Sequence, residues 1–350
     1  MAIFLAGCTT TQRPANEPVS LNWPPAPQPA VLQTNKPAVS AVKSNLPPAI
    51  VPKPAPVVTW DSLASWAAEH KIGKVHQISD SPVDTYAVGS SNGVMVLEIG
   101  SHEATWNGVI INLGFTPELI DGEIYLNGLD LQKNLEPLLC EPPLTFPSTN
   151  RVIVIDPGHG GSNHGTHSVL DGRFEKEFTL DLALRLKPLL EAEGWTVFLT
   201  RTSDVYVANS YRPIFATAHH ANLFISLHFN ATADRDESAA GLETYCFTPT
   251  GMPSTVTRGY TDPWSEKLSS NDFDTQNLQL AVKMQGALTH AIGMPDRGVR
   301  HVRYIEVLRN QNCPAVLIEN GYLSNPAEAA KIESADYRQK LAEAIAGALK

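Results

Sequence analysis

Three polar residues of this chain each follow a short apolar run with the character of a buried strand. His159 follows 152–155, His228 follows 223–227 and Glu319 follows 315–318. Such runs, bounded by turn residues, are typical of strands in a parallel sheet. The carboxyl ends of these strands meet at one edge of a sheet, where the loops carry ligand-binding groups. The sequence therefore predicts that His159, His228 and Glu319 lie together at that edge.

Glu175 is a fourth candidate, because it stands at the start of a pattern with helical spacing. Apolar residues recur from Phe178 to Leu190, which predicts a helix with Glu175 in its first turn. The amino terminus of a helix favours negative charge. We expect this carboxylate to face the sheet edge that carries the two histidines.

Two imidazoles, one carboxylate and an open position are the ligand set of a catalytic zinc ion. His159, Glu175 and His228 supply that set, and Glu319 is then left over. A carboxylate near metal-activated water can take its proton, so the four residues predict metal-assisted hydrolysis with Glu319 as general base and later general acid. A lone histidine after a strand is more often structural, so the prediction depends on the four residues together.

The motifs resemble, in one order, those of the amidase type 3 family of zinc-dependent N-acetylmuramoyl-L-alanine amidases. The similar stretch runs from about 151 to 350 and carries GHGG, FEKEFTLDLALRL, TVFLTRTSD, LFISLHFNA, GLETY, DRGVR and PAVLIENGYLSN. The resemblance implies one zinc ion per catalytic domain, held by His159, Glu175 and His228, with Glu319 as the catalytic carboxylate. It also implies that the substrate is peptidoglycan and that the amide between N-acetylmuramic acid and L-alanine is cleaved.

The chain departs from the usual family pattern at two places. Asn320 and Tyr322 follow the catalytic glutamate, where a small or apolar residue and Phe are more usual. The loop after GHGG reads Ser-Asn-His-Gly and carries no acidic residue. Neither departure removes a predicted ligand. His164 in that loop becomes a candidate for supporting a ligand or facing the substrate.

Further candidates for substrate binding come from arginines and an amide. Arg297 and Arg300 of DRGVR have guanidinium groups that suit peptide carboxylates, and a solvated structural pair is the alternative. Arg212 is either a salt-bridge partner on a predicted helix near 211–221 or a contact for a substrate carboxylate. Asn230 of SLHFNA completes this candidate set.

Two other segments offer alternative metal ligands. His219 and His220 are adjacent, but they fall in the predicted helix near 211–221, so we expect surface or packing roles for them. Residues 248–277 are rich in Ser, Thr, Pro and Asp, which predicts a mobile loop at the substrate groove. Glu266 in this loop is an alternative occupant of the open zinc position.

Length and composition bound the remaining functions. The 350 residues allow about two domains, and the net charge of −10 argues against binding nucleic acid or attaching electrostatically to an anionic membrane. Apart from Cys8, three cysteines remain. At most one disulfide can therefore form within the chain, and a bridge between Cys246 and Cys313 is one option.

The start of the chain resembles the lipobox of bacterial lipoproteins. Residues 1–8 end in Leu-Ala-Gly-Cys, which implies that 1–7 are a signal remnant and that Cys8 is acylated; a chance cysteine in a short terminus is the alternative. Residues 8–57 are rich in proline, which favours a disordered linker. Together they predict a bacterial envelope protein on the periplasmic side, linked to a membrane only through lipid.

Residues 58–140 form a second predicted unit, a small α+β accessory domain. We expect Asp61 to cap a short helix, strands at Thr85–Val88 and Val94–Ile99, and a closing helix at Asp130–Leu139. The stretch is similar to the small domain at the amino terminus of copper amine oxidases, which implies no copper site. Docking to an envelope activator or wall partner and a passive spacer role are both open.

The predicted fold class is α/β. A mostly parallel twisted sheet flanked by helices spans 151–350, preceded by a linker at 141–150, the accessory domain and the tether. The predicted function is peptidoglycan cleavage for cell-wall remodelling, cell separation or recycling. A zinc peptidase or deacetylase acting on wall material could use the same ligands, and a non-catalytic wall-binding lipoprotein is the third alternative.

Overall fold

An eleven-stranded β-sheet is the central element of the chain in the computed structural model. The structure describes residues 59–146, 149–232 and 236–350. The predicted signal remnant 1–7, the lipidation site Cys8 and the Pro-rich segment 8–57 lie outside the described residues.

Fourteen strands occur in the described residues: β1 (Trp60–Ser62), β2 (His76–Ser79), β3 (Thr85–Gly89), β4 (Val94–Glu98), β5 (Glu103–Trp106), β6 (Val109–Asn112), β7 (Glu118–Ile120), β8 (Glu123–Asn127), β9 (Val152–Pro157), β10 (Thr196–Leu199), β11 (Leu223–Asn230), β12 (Leu242–Phe247), β13 (Asp296–Val302) and β14 (Ala315–Tyr322). Within the same residues the α-helices are α1 (Leu63–Glu69), α2 (Gly128–Asp130), α3 (Glu136–Leu139), α4 (Glu175–Ala192), α5 (Tyr211–Ala218), α6 (Asp274–Ile292), α7 (Pro326–Glu333) and α8 (Ala335–Ala348). A π-helical turn, Leu131–Leu135, joins α2 to α3, and Ser269–Phe273 and Glu306–Leu308 are 3-10 turns.

The carboxyl-terminal half of the sheet has the order β10-β9-β11-β14-β12-β13. Neighbouring strands are parallel except for β12 and β14, which are antiparallel. Successive side chains of a strand point to opposite faces, so Ile153 and Ile155 join a core cluster with α4, α6 and α8, whereas Val154 packs with Ala216 of α5. The predicted mostly parallel sheet flanked by helices is confirmed.

The amino-terminal half of the sheet is an antiparallel meander that runs from β2 to β6. It includes the two strands predicted at 85–88 and 94–99, each within one residue of its bounds. The meander joins the rest of the sheet where β6 pairs in parallel with β13, at Ile111 and Val299. The described residues all fall in one compact unit, and the predicted domain boundary at 141–150 stays a prediction.

A separate three-stranded sheet, ordered β1-β8-β7, supports α1. The predicted Asp61 cap is wrong, because Asp61 lies in β1 opposite Leu126. The cap is Ser62, whose Oγ accepts a hydrogen bond from Ser65 N at 3.3 Å. The closing helix predicted at 130–139 occurs as α2, the π turn and α3 in succession. Among the described helices, none has both the length and the apolar character needed to cross a bilayer.

Candidate metal centre

His159 lies in the turn after β9, where its backbone has a left-handed φ of 62°. A residue with a side chain rarely adopts this conformation, which costs about 1–3 kcal/mol and concentrates at functional sites. Gly158 is needed for a second reason, since a Cβ there would lie 2.3 Å from the His228 ring. The turn thus brings the two imidazoles together, with ring centroids 4.8 Å apart.

His228 and Glu319 lie side by side on adjacent parallel strands, as Cα partners of β11 and β14. Both strands run further than the apolar runs indicate, to Asn230 and Tyr322. The two side chains therefore stand within the last residues of their strands rather than after them. The predicted proximity of His228 and Glu319 at one edge of the sheet is present in the structure.

Glu175 is the first residue of α4, and its carboxylate points between the two histidines. Its Oε2 lies 3.0 Å from His159 Nε2, and its Oε1 lies 2.9 Å from His228 Nδ1. The backbone N–H groups of Thr166 and Phe229 each donate to one of these oxygens at 3.0 Å. The carboxylate is thus fixed by main-chain groups from two other segments.

Together, His159, Glu175 and His228 form the candidate metal centre. One ligand atom of each residue lies within 4.8 Å of the others, and His159 and Glu175 are buried while His228 is partly exposed. Gly165 closes over this centre, because a Cβ on it would lie 2.5 Å from Glu175 Oε2. The three side chains predicted as ligands therefore converge at one point.

The charges of the three groups depend on one another. Burial opposes ionisation of Glu175, but the adjacent His159 and His228 outweigh it and lower the pKa of the carboxyl. Burial lowers the pKa of His228. Burial also opposes the charged form of His159, yet the Glu175 carboxylate outweighs it and raises the pKa of that imidazole. Metal binding requires deprotonated ligands, so a bound cation would displace the proton that Glu175 favours on His159.

Glu319 differs from Glu175 in its surroundings. Burial raises the pKa of its carboxyl well above the usual range, and the nearby charges of Glu175 and Glu243 raise it further, against the effect of Arg258. Its Oε2 is buried and accepts no hydrogen bond from any residue that the structure describes. Burying a carboxyl oxygen without a hydrogen-bond partner is costly. We therefore expect this atom to interact with a bound molecule.

Asn163 supports His159 and was not among the sequence candidates. Its Oδ1 accepts a hydrogen bond from His159 Nδ1 at 2.9 Å. This contact orients the ring so that Nε2 faces the centre, as partners of metal-binding histidines commonly do. The sequence signal for Asn163 was its position in the Ser-Asn-His-Gly loop after GHGG. His164, the candidate in that loop, is exposed and stacks on Phe174 with centroids 4.4 Å apart.

Two buried arginines hold the turn that carries His159. Arg212 is 1% exposed, forms an ion pair with Asp156, and donates to the carbonyl oxygens of Pro157 and His159 at 3.0 Å. Arg201 donates to the carbonyl oxygen of Pro157 at 3.0 Å. The salt-bridge alternative for Arg212 therefore describes the structure, and the substrate-contact alternative does not, because the guanidinium is buried.

Beside Glu319 lies a second charged group, which we call the arginine wall: Glu243, Arg297 and Arg300. Glu243 is the cross-strand partner of Glu319 on β12 and is 3% exposed. Its Oε1 accepts from Arg297 Nε at 2.6 Å and lies 3.7 Å from Arg300 Nε. Tyr245 also donates its hydroxyl to Glu243. The predicted arginine pair is therefore organised by a buried carboxylate that sequence reasoning missed.

Asn230 connects the metal-centre strand to this wall. Its Nδ2 donates to Glu243 Oε2 at 3.5 Å, and its Oδ1 accepts from Arg258 Nη2 at 3.3 Å. Arg258 comes from the segment 248–277, which therefore reaches the site. Glu266 of that segment does not lie with the metal-centre ligands, because its carboxylate pairs with Arg309 at 3.6 Å.

The remaining candidate ligands lie away from the metal centre. The predicted helix near 211–221 ends at Ala218, so both histidines follow α5 instead of lying within it. His219 packs between Phe198 and Phe215, and His220 is exposed. Their predicted packing and surface roles are confirmed. Cys246 and Cys313 are both free thiols, so the optional disulfide between them is absent from the described residues.

The family model described as N-acetylmuramoyl-L-alanine amidase, amidase type 3, matches residues 153–350. A probable cell wall amidase, LytH, of Staphylococcus epidermidis is 34% identical over 205 residues. That match covers 58% of this chain and 59% of the relative, so the chain spans less than two thirds of the curated relatives that it matches.

Two solved structures with similar sequences are also amidases. The N-acetylmuramoyl-L-alanine amidase from Clostridium difficile 630 is 32% identical and has a TM-score of 0.47, covering 57% of this chain and 95% of that one. The catalytic domain of CwlV from Bacillus (Paenibacillus) polymyxa var. colistinus is 30% identical, with a TM-score of 0.46 and coverage of 57% and 95%.

Proposed function

We propose that this chain, which belongs to the amidase type 3 family of N-acetylmuramoyl-L-alanine amidases, hydrolyses the amide between N-acetylmuramic acid and L-alanine in peptidoglycan. The observation that carries this proposal is the convergence of His159, Glu175 and His228 within 4.8 Å, beside the unpaired carboxylate oxygen of Glu319. A wall-binding protein without activity would have no need for both features in one place.

The residues at the metal centre fit a zinc ion. Two imidazole nitrogens and one carboxylate are typical ligands of catalytic zinc, which keeps its fourth position open. We infer that His159, Glu175 and His228 hold one such ion. When bound there, zinc would supply Lewis-acid chemistry that polarises an amide carbonyl and makes water nucleophilic at neutral pH. The Glu175 carboxylate accepts hydrogen bonds from two backbone N–H groups, which keep it oriented whether or not substrate is present.

Glu319 serves as the general base and then as the general acid. Its Oε2 takes a proton from the attacking water and returns it to the nitrogen of L-alanine as the amide bond breaks. The burial that raises the pKa of this carboxyl favours the step in which it holds the proton. Its place beside His228 on the neighbouring strand puts it next to the metal centre without making it a ligand.

The arginine wall binds the acidic part of the substrate. The side chains of Arg297 and Arg300 are 35% and 19% exposed, so each arginine pairs with Glu243 and is still partly open to solvent. Guanidinium groups bind carboxylates through paired hydrogen bonds, and stem peptides carry carboxylates. Exposed His164 contributes a further contact with the substrate, whereas buried Asn230 acts by holding Glu243 and Arg258 in place.

Wall material as a substrate implies a location in the cell envelope. We propose that residues 8–57 tether the enzyme on the periplasmic side of the bacterial envelope through an acylated Cys8, with 58–140 available to an activator or wall partner. Intact mass of the protein extracted from membranes tests the anchor. An acyl adduct at Cys8 is expected, and its absence would overturn lipid anchoring without affecting the proposed activity.

Product analysis tests the reaction itself. Purified peptidoglycan digested by the full chain should yield stem peptides with a free L-alanine amino terminus and glycan strands whose N-acetylmuramic acid carries a free lactyl carboxylate, as read by mass spectrometry. Incubation with a zinc chelator should abolish release, and added zinc should restore it. Products cut within the stem peptide, or loss of acetyl groups, would instead indicate the peptidase or deacetylase alternative.

A further inference from the structure

We propose that Asn112, in the accessory meander, positions Arg300 of the arginine wall, so that residues 59–146 complete the subsite that binds an ionised carboxylate of the substrate. This inference rests on the proposed function and adds a role for the accessory residues. Asn112 acts through Arg300, so it is a positioning residue rather than a catalytic one.

The side chain of Asn112 makes two contacts across the join between β6 and β13. It is 5% exposed. Its Nδ2 donates to the carbonyl oxygen of Val299 at 3.1 Å, and its Oδ1 accepts from Arg300 Nη1 at 3.1 Å. One amide therefore holds both the backbone of β13 and the guanidinium that leaves it.

The strands β6 and β13 approach each other closely where they pair. Gly298 has a φ of 85°, and a Cβ there would lie 2.7 Å from Ile110 Cγ2 and 3.0 Å from Asn112 Nδ2. Asp296 accepts the backbone N–H of Ile110 at 2.9 Å through its Oδ2. The glycine of DRGVR thus admits β6 against β13, and this approach brings Asn112 within reach of Arg300.

The other side of Arg300 leads to the reaction site. Its Nε lies 3.7 Å from Glu243 Oε1, and Glu243 is the cross-strand neighbour of Glu319. A guanidinium fixed on two sides loses little conformational freedom when it binds a carboxylate, so its affinity is higher than that of a mobile side chain. Without Asn112, Arg300 keeps its charge but loses one of the two contacts that orient it.

Asn134 offers a matched control. It is another buried asparagine of the accessory residues, and its Oδ1 accepts from His301 Nε2 at 2.9 Å. It therefore also links the accessory residues to β13 through one side-chain amide, but it contacts neither arginine. If the accessory residues only stabilise the fold, the loss of Asn112 and the loss of Asn134 should affect turnover alike.

The test uses steady-state kinetics of the full chain on two soluble muropeptides, one with free stem-peptide carboxylates and one with those carboxylates amidated. For Asn112→Ala we expect KM for the acidic muropeptide to rise about tenfold, as for the loss of one charge-assisted hydrogen bond, with kcat within about twofold. KM for the amidated muropeptide should not change. Asn134→Ala should leave both KM values near those of the wild type.

A double variant separates positioning from direct binding. If Asn112 acts through Arg300, the Asn112→Ala/Arg300→Ala variant should have the same KM for the acidic muropeptide as Arg300→Ala alone. Additive effects, or equal KM changes on both muropeptides, would overturn the inference. If circular dichroism shows that Asn112→Ala does not fold, Asn112→Ser gives the same comparison.

The outcome also distinguishes this inference from the function on which it rests. If the wild type cleaves neither muropeptide at the lactyl amide, the proposed function fails and the inference fails with it. If the wild type is active and Asn112→Ala behaves like Asn134→Ala, the inference alone is overturned.

Discussion

The metal centre and the arginine wall lie on neighbouring strands but are held in different ways. At the metal centre, backbone N–H groups of Thr166 and Phe229 hold the Glu175 carboxylate, and Arg201 and Arg212 hold backbone carbonyl oxygens of the His159 turn. In the arginine wall, side chains hold side chains: Glu243 orients the arginines, and Asn112 reaches Arg300 from a distant part of the chain.

The two regions should therefore respond differently to substitution. At the metal centre, main-chain contacts keep the geometry as long as the strands and the turn remain folded, and Asn163 adds one side-chain support for His159. A change there should therefore act on metal binding or on the chemistry. A wall made of side chains can lose one contact at a time, so a change there acts on substrate affinity.

The largest effect is expected for Glu319→Gln, which keeps the shape of the side chain but cannot take a proton. General base and acid catalysis by one side chain is worth about 10²–10⁴ in rate, so we expect kcat on a soluble muropeptide to fall about a thousandfold, with KM nearly unchanged. The measurement is the rate of L-alanine amino-terminus release. A kcat within tenfold of the wild type would remove Glu319 from the chemistry.

A smaller effect is expected for Asn163→Ala, which removes the acceptor for His159 Nδ1. Loss of such a supporting contact lowers metal affinity by about 10–100-fold, measured by competition with a chelator of known zinc affinity. Exposed Ser162, one residue earlier in the same loop, is the control site, and Ser162→Ala should bind zinc as the wild type does. Equal affinities for both variants would contradict the supporting role of Asn163.

The smallest effect is expected for Arg297→Ala, in the wall. Removing one guanidinium that binds a carboxylate should raise KM about tenfold and leave the zinc content unchanged. Arg309→Ala is the control. Arg309 has a similar side-chain exposure of 38%, but it lies before the start of β14, whereas Glu319 lies in the second half of that strand. If Arg297→Ala instead lost zinc, the division between the two regions would be wrong.

The metal centre could be predicted from the sequence because its members follow local patterns. Apolar runs before His159, His228 and Glu319, and helical spacing after Glu175, each indicate a position at one edge of the sheet. The order of strands was not needed, because parallel strands present their carboxyl ends together. Local patterning was therefore sufficient for this part of the site.

The supporting residues could not be predicted, because their roles depend on which segments meet in the fold. Glu243 lies in an apolar strand with no local sign of its partners, and Asn112 lies more than a hundred residues from Arg300. Likewise, the composition of 58–140 predicts a small α+β unit but not that β6 pairs with β13. Arg212 had two equal alternatives, and only its burial against Asp156 decided between them.

The central claim is that His159, Glu175 and His228 bind zinc while Glu319 acts beside it. The most direct test is the zinc content of purified full-length variants, measured by inductively coupled plasma mass spectrometry. We predict close to one zinc ion per chain for the wild type and for Glu319→Gln, and almost none for His159→Ala. Loss of zinc from Glu319→Gln, or full retention by His159→Ala, would contradict the account.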